Sequence, residues 1–444
     1  MRILVVGAGP AGATAASWLA RSGHEVTVLE KTRFPREKVC GDGLTPLAVR
    51  EMNLLGLPHG TDQGYHRQKG LRLRAAGTSL DVPFESAGDV PGYGLVRTRL
   101  GFDQELAEHA RAQGAEVLEG HSVQEVIRAS EVDSAITDLP RAVMADPDRI
   151  IGVRARLNDH RGRRTDETRE FYAELVLAAD GNSSRAAVTA GLSKRDDRPM
   201  GVAVRAYYDS SLGDLEWMEG WLELQGGRQG PSGRPELLPG YGWIFGVGDG
   251  TANVGLGILN TSEQFGSLDY RQVLAEWTAG MPEEWTLDVD HRSGKVLGAA
   301  LPMAFNRTPH YIPGLMLLGD AAGLVSPFNG EGIANAMRSA RIASDVVDQA
   351  ASANGPLQRE VKLNEYPDIV RDLWGSHFTL GRACAELIGH PVLMRASVSL
   401  GMAWPRLMKI VVGLMADMTP EEPRTLADRA IHVLERLTPA TPTR

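Results

Sequence analysis

The stretch that most constrains the fold is "RILVVGAGPAG", Arg2 to Gly12. A short apolar run leads straight into Gly7, Gly9 and Gly12, spaced as G-x-G-x-x-G. Alanine-rich "PAGATAASWLARSG" follows and reads as a helix stopped at Gly23. "EVTVLE" then reads as a second strand ending at Glu30. Gly7 makes the tight turn, Gly9 lets backbone approach a pyrophosphate, and Gly12 lets helix and strand pack closely. The helix N-terminus, with Ala11 in its first turn, presents N–H groups to the phosphates. Glu30, about 20 residues past the motif, is placed to accept from a ribose hydroxyl. Strand, turn, helix and acid in this order predict an α/β fold with a dinucleotide-binding unit.

Composition bounds the rest. With 444 residues the chain can bury a sizeable core in two or three domains. A net charge of -9 argues against nucleic acid, which needs a basic surface. Two cysteines, Cys40 and Cys384, are too few for a disulfide framework or a cysteine zinc site, and no histidine spacing suggests a metal. His59 and His66 read as loop residues. The N-terminus lacks signal-peptide character, and no run of about 18 uncharged apolar residues predicts a membrane span. These features predict a cytoplasmic protein, with contact at the inner face of the plasma membrane left open.

Two later segments repeat the strand-then-acidic-turn pattern. "YAELVLAADGNSSR" is a buried strand ending at Asp180-Gly181. "GLMLLGDAAGLVSPFNGEGIANAMRSAR" is a strand, then Gly319-Asp320, then a loop and a helix starting near Gly332. An aspartate at a strand end can accept from a sugar hydroxyl. The backbone over Gly330, Gly332 and Ile333 is an anion site at a helix N-terminus.

Together these motifs resemble the glutathione-reductase-type FAD proteins of the hydroxylase branch. The resemblance spans positions 3 to 340 and implies FAD as cofactor. It also implies that Arg99, in "RLGFD", contacts the cofactor and that Val123 lies against the adenine. No second G-x-G-x-x-G follows a later strand, so no separate NAD(P)H domain is expected. A discontinuous FAD-binding domain is expected over 1–60, 97–200 and 296–350. Residues 61–96 and 201–295 form the substrate domain, whose glycine-punctuated alternating runs read as an antiparallel sheet. Residues 128–170 read as a strand pair with a long surface loop. Residues 351–444 read as helical.

Two motifs narrow the chemistry. "LPGYGWIFGVGDGTANVGLG", residues 238–257, alternates Tyr241, Trp243 and Phe245, which therefore share one face of a strand. Gly255 and Gly257 alternate likewise and leave room on theirs. Three aromatics on one face are either core or the wall of an apolar cavity. The second motif is "KVCGDGLTP" around Cys40, Gly41 and Gly43. Both resemble the geranylgeranyl reductase family, with Gly246 standing where that family usually has proline. Within it, "CGDGLTP", "GVAVR", "LPGYGWIF" and "NGEGI" resemble actinobacterial enzymes that reduce the menaquinone isoprenoid tail. That resemblance implies an FAD-dependent oxidoreductase that reduces a carbon–carbon double bond of a prenyl lipid. It places Cys40 beside the flavin, where Gly41 and Gly43 would let backbone lie close to the ring.

An isolated alkene has no carbonyl to polarise. Its reduction is read as protonation followed by hydride arrival from reduced flavin. Ring faces of Trp243 and Tyr241 would steady the positive charge. Cys40, Tyr241 and bound water are the proton sources considered, and the electron donor is NAD(P)H or a reduced protein carrier. Competing readings are a monooxygenase or halogenase of the same fold, and a non-catalytic flavoprotein electron carrier. The W-x-W-x-I-P halogenase pattern is missing. Residues 390–418, apolar and interrupted by Arg395, Arg406 and Lys409, read as a lipid-touching amphipathic helix or as a helix pair packed on the flavin domain.

Overall fold

The computed structural model describes residues 1–443 except 76, 230–234, 262–263 and 416–425. Its centre is a six-stranded sheet ordered Tyr311–Ile312, Leu315–Leu317, Leu175–Ala178, Arg2–Val6, Glu25–Glu30, Glu116–Glu119. Pairing is parallel from Leu315–Leu317 to Glu116–Glu119, and only Tyr311–Ile312 runs antiparallel. Arg2–Val6 and Leu175–Ala178 carry almost unbroken buried apolar residues, as a strand covered on both faces requires. One cover is the helix Pro10–Arg21, which packs on the helices Arg99–Ala112 and Ile333–Ala351.

Residues 121–172 form a three-stranded antiparallel sheet of His121–Arg128, Ile150–Asn158 and Arg164–Tyr172. The segment between the first two strands carries short helices, Ser134–Thr137 and Arg141–Met144.

The other large sheet has seven strands, ordered Arg292–Pro302, Met200–Asp209, Thr251–Leu259, Gly240–Gly246, Trp217–Trp221, Gly70–Ala75, Thr78–Pro83. The runs expected to be antiparallel pair so, from Met200–Asp209 through Thr251–Leu259 and Gly240–Gly246 to Trp217–Trp221, and the sheet departs from an antiparallel one only where Trp217–Trp221 runs parallel to Gly70–Ala75. Those two strands come from distant parts of the chain, so no tight hairpin forces them antiparallel. His66 is corrected: it opens the strand His66–Gln68, which pairs with Gly94–Val96.

One face of the seven-stranded sheet packs under the helix Tyr270–Ala279 in a core around Ile244, Val254 and Leu274. A Cβ on Gly242 would stand 2.5 Å from the Trp277 ring, so glycine is needed on that face. The opposite face carries Tyr241, Trp243 and Phe245 and looks toward the loop around Cys40.

The C-terminal helices include Tyr366–Ile388, Pro391–Ala403 and Pro405–Met415. Met408 and Val412 bury against Leu73 and Val82 of the seven-stranded sheet. The helix pair therefore packs on that sheet and not on the flavin-motif sheet, because the edge hairpin supplies the apolar surface. Part of the span 390–418, residues 416–418, lies outside the described residues. Among the described residues no helix is long and apolar enough to cross a membrane.

Candidate active site

Gly7 takes φ 94°, and a Cβ on it would lie 2.6 Å from the Ala179 carbonyl oxygen. The first turn is thereby pressed against the end of the strand Leu175–Ala178. A Cβ on Gly12 would lie 1.8 Å from the Gly7 carbonyl oxygen, so the helix can start only with glycine there. Gly9 is different: the nearest atom to its missing Cβ is the Arg36 guanidinium, 3.6 Å away. That leaves a cradle of backbone under a cation, which suits a pyrophosphate. Glu30, buried at the end of its strand, accepts from Ala8 N–H at 2.9 Å and from the Thr32 hydroxyl at 2.7 Å. The donors, the cradle and the acid fit a dinucleotide.

Arg99 makes a bidentate pair with Asp103, at 2.7 and 2.8 Å, in the buried first turn of its helix. Arg36 reaches Asp103 at 2.8 Å and Glu30 at 3.5 Å. Burial pulls the Arg99 guanidinium down, but Asp103 and the neighbouring Cys40 raise it further, so it stays charged. One chain of ion pairs thus runs from Glu30 through Arg36 and Asp103 to Arg99, which lies next to Cys40. Neither Arg36 nor Asp103 is marked by a short motif in the sequence.

The other expected cofactor residues divide. Ala11 contacts the Gly319 turn: a Cβ on Gly319 would lie 3.1 Å from that of Ala11. Asp320 lies 4.0 Å from the Lys38 ammonium and beside Gly332, whose Cβ would be 3.4 Å from its Oδ1. Gly330, Gly332 and Ile333 form the turn into the helix Ile333–Ala351. Asp180 works on its own turn, since its oxygens accept from the Ser184 hydroxyl at 2.6 Å and from Ala186 N–H at 3.2 Å. Burial raises its carboxyl against those bonds. Val123 is packed in the main core with Val126 and Val153.

The aromatic wall is continuous. Tyr241 and Trp243 lie 6.2 Å apart between ring centres, and Trp243 and Phe245 6.5 Å. Trp243 pairs across the strands with Gly255, and Tyr241 with Gly257. The room expected at Gly255 is filled by the indole, whereas nothing comes nearer than 4.0 Å to the missing Cβ of Gly257. Gly41 and Gly43 also make way for the wall. A Cβ on Gly41 would lie 3.2 Å from Phe245 and 3.3 Å from Trp243, and one on Gly43 3.1 Å from Phe245. The missing Cβ positions of both glycines therefore face these rings.

The Tyr241 hydroxyl donates to the Asn329 carbonyl in "NGEGI", and Thr45 of the cysteine loop donates to Glu331. Burial, with Glu331 and Cys40 adding, pushes the Tyr241 phenol upward, so it keeps its proton at neutral pH. Three segments far apart in sequence meet here: 38–46, 241–257 and 320–333. Beneath them lie Asp42, Tyr207 and Asn253, which sequence analysis did not single out. Both cysteines are free.

Residues 1–229 match the family described as FAD binding domain. The chain is 32% identical over 431 residues to a menaquinone reductase of Mycobacterium tuberculosis, covering 95% of this chain and 92% of the relative. The chain belongs to the geranylgeranyl reductase family of FAD-dependent oxidoreductases. A digeranylgeranylglycerophospholipid reductase of Methanopyrus kandleri is 29% identical, covering 87% of this chain and 90% of the relative. Among solved structures, a geranylgeranyl bacteriochlorophyll reductase-like protein from Thermoplasma acidophilum aligns with a TM-score of 0.70 at 22% identity, over 98% and 96% of the two chains. A flavin-dependent brominase aligns with a TM-score of 0.70 at 18% identity, over 97% of each. These likenesses establish the fold. The family membership makes this member an FAD-dependent oxidoreductase.

Proposed function

We propose that the protein reduces an isoprenoid carbon–carbon double bond of a prenyl lipid, with the menaquinone tail as leading substrate. The observation that carries this reading is the Tyr241–Trp243–Phe245 wall laid directly against the cysteine loop and beside the "NGEGI" turn. An apolar chain needs aromatic walls and no charged side chain along its path. The relatives named for menaquinone and digeranylgeranylglycerophospholipid reduction support the same substrate class. Oxygen-dependent halogenation shares only the fold here.

Reduction adds a proton to one alkene carbon and a hydride to the other. Reduced FAD, when bound, supplies the hydride. Gly7, Gly9, Gly12, Glu30 and Arg36 would hold its adenosine diphosphate part, and the Gly330–Ile333 turn its pyrimidine edge. Trp243 and Tyr241 face the alkene and steady the positive charge that follows protonation, a contribution of about 0.5–2 kcal/mol. Positioning supplies most of the acceleration. Tyr241 is the weaker proton source, since its hydroxyl hydrogen is engaged by Asn329. Cys40 and a bound water are left, with Arg99 holding Cys40 in place.

The substrate class also supports contact with a lipid surface. Val392, Leu393, Leu400 and Trp404 are exposed on the helix Pro391–Ala403 and just beyond it. Residues 387–416 contain no aspartate or glutamate but include Arg395, Arg406 and Lys409, in a chain of net charge -9. That combination suits an anionic bilayer.

The test is mass spectrometry of prenyl lipids in cells with and without the gene, joined to anaerobic turnover with reduced enzyme. A mass gain of one H2 in one lipid class identifies the substrate. No change in any prenyl lipid, in cells or with purified reduced enzyme, overturns the reading.

A further inference from the structure

Asp42 stands between the two glycines of the cysteine loop and is wholly buried. Its backbone takes φ 64°, a left-handed conformation that aspartate and asparagine adopt more readily than other non-glycine residues. Its Oδ2 accepts from the Tyr207 hydroxyl and from Asn253 Nδ2, the latter at 2.8 Å. Its Oδ1 is buried without a hydrogen-bond partner.

Asn253 is equally buried and uses its amide in three directions. Nδ2 donates to Asp42 and, at 3.0 Å, to the Cys40 carbonyl. Oδ1 accepts from the Trp243 indole N–H at 2.9 Å. Flipping the amide would set an N–H against the indole N–H and an oxygen against two acceptors. One amide thus ties the cysteine loop to the aromatic wall, and an acceptor at position 42 is part of what decides which way it points.

We propose that Asp42 is the positioning residue of the substrate pocket: its carboxylate orients Asn253 and, through it, fixes the Trp243 indole against the Cys40 loop. Other charged or titratable groups surround it. Arg205, with its guanidinium 4.4 Å above the Tyr207 ring and paired with Glu37, comes from the sheet side. Arg99 comes from its helix and Cys40 from Asp42's own loop. Burial pushes the Asp42 carboxyl up to about 6, against the lowering pull of Tyr207, Asn253, Arg205 and Arg99. Hydrogen bonds to a carboxylate are about twice as strong as neutral ones, so gaining a proton slackens the hold on Asn253. The stability sign runs the other way. A carboxyl whose folded pKa is raised favours the fold at low pH, and that contribution is lost as pH rises through about 6. The charged form therefore weakens the fold while ordering the pocket.

Asp42→Asn keeps the shape and the left-handed backbone and removes the charge. The expected result is a melting temperature above that of the wild type at about pH 8, with the gap narrowing below pH 6 and closing only near pH 4. At about pH 8 the turnover rate for alkene reduction falls about tenfold. In the unliganded protein, the tryptophan fluorescence that Trp243→Phe removes titrates with a midpoint near pH 6 in the wild type and not in Asp42→Asn. Tyr207→Phe, which deletes one donor to Oδ2, moves that midpoint upward and serves if Asp42→Asn fails to fold. A variant that melts below the wild type at both pH values, or a Trp243 signal that titrates alike in wild type and Asp42→Asn, overturns the proposal. So does wild-type turnover in Asp42→Asn across the range, or an unmoved midpoint in Tyr207→Phe. Only the rate arm rests on the alkene-reduction reading; melting and fluorescence need no substrate, so the two can fail separately.

Discussion

The indole of Trp243 occupies the space that a side chain at Gly255 would need, because a Cβ there would lie 2.3 Å from the ring. The two residues face each other across neighbouring strands. Gly255→Ala must push the indole out of the wall or part the strands. Overpacking of this kind costs about 1–3 kcal/mol. The expected outcome is a lower melting temperature together with a loss of alkene turnover larger than the loss of bound flavin. Gly257→Ala, with open space at its Cβ, should leave the melting temperature nearly unchanged.

The glycines of the first turn should separate folding from cofactor retention. Gly12→Ala places a Cβ 1.8 Å from the Gly7 carbonyl oxygen, so the helix start must move. Gly9→Ala meets nothing closer than the Arg36 guanidinium, at 3.6 Å, yet fills the cradle. Gly9→Ala is therefore expected to fold and to purify with less FAD, read from the ratio of flavin to protein absorbance. Gly12→Ala is expected to lose both.

Cys40 is adjacent to the Arg99 guanidinium and is tied to the sheet through its carbonyl. Cys40→Ala keeps the carbonyl bond to Asn253 and removes the thiol. If the thiol supplies the proton, single-turnover alkene reduction by the reduced Ala variant falls by about a hundredfold or more, the scale of general acid catalysis. Near-normal single-turnover rates in both Cys40→Ala and Cys40→Ser would exclude the Cys40 thiol as the proton source.

His310 is wholly buried, with its Nε2 3.1 Å from the Ala322 carbonyl oxygen and its ring against Phe305. Burial pushes it down to about 4. Its neutral form supports the fold above the ordinary histidine range. That support is lost as pH falls from about 6.5 toward 4, up to about 3 kcal/mol in all. Denaturant midpoints of the wild type should therefore fall across this window relative to His310→Asn. A parallel pH dependence in both proteins would refute the assignment. Asp42 has the opposite sign, so the comparison belongs in one Asp42 background.

Trp404 is 63% exposed and Val392 80%, on a stretch that carries basic residues and no acid. Replacing Trp404, Val392 and Leu393 together by serine should weaken co-sedimentation with anionic liposomes and leave the melting temperature close to that of the wild type. Equal sedimentation of both proteins would remove the lipid-surface reading.

Much of the cofactor side was legible because its requirements are local. A tight turn, a close helix start and an acid at a strand end each demand a residue type at a fixed offset, as Gly7, Gly12 and Glu30 show. The Tyr241–Trp243–Phe245 face was legible for the same reason, since strand periodicity is local. Arg36, Asp103, Tyr207 and Asn253 were not legible. Each is an ordinary polar residue until a partner from another element meets it in a buried site. Asp42 was in plain view within "CGDG", but nothing in that tetrapeptide says that its carboxyl turns away from water toward a strand more than two hundred residues later.

By itself, the sequence determined the α/β unit, a dinucleotide site and the aromatic face, because backbone sterics and side-chain alternation act over a few neighbouring residues. Only the tertiary structure decided that Gly41, Gly43 and Gly255 make room for rings, that Asp180 caps its own turn, and that Asn253 joins Cys40 to Trp243. Those outcomes depend on how segments distant in the chain exclude water from one another. Hydrogen bonds and close contacts of that kind have no spacing along the chain to mark them.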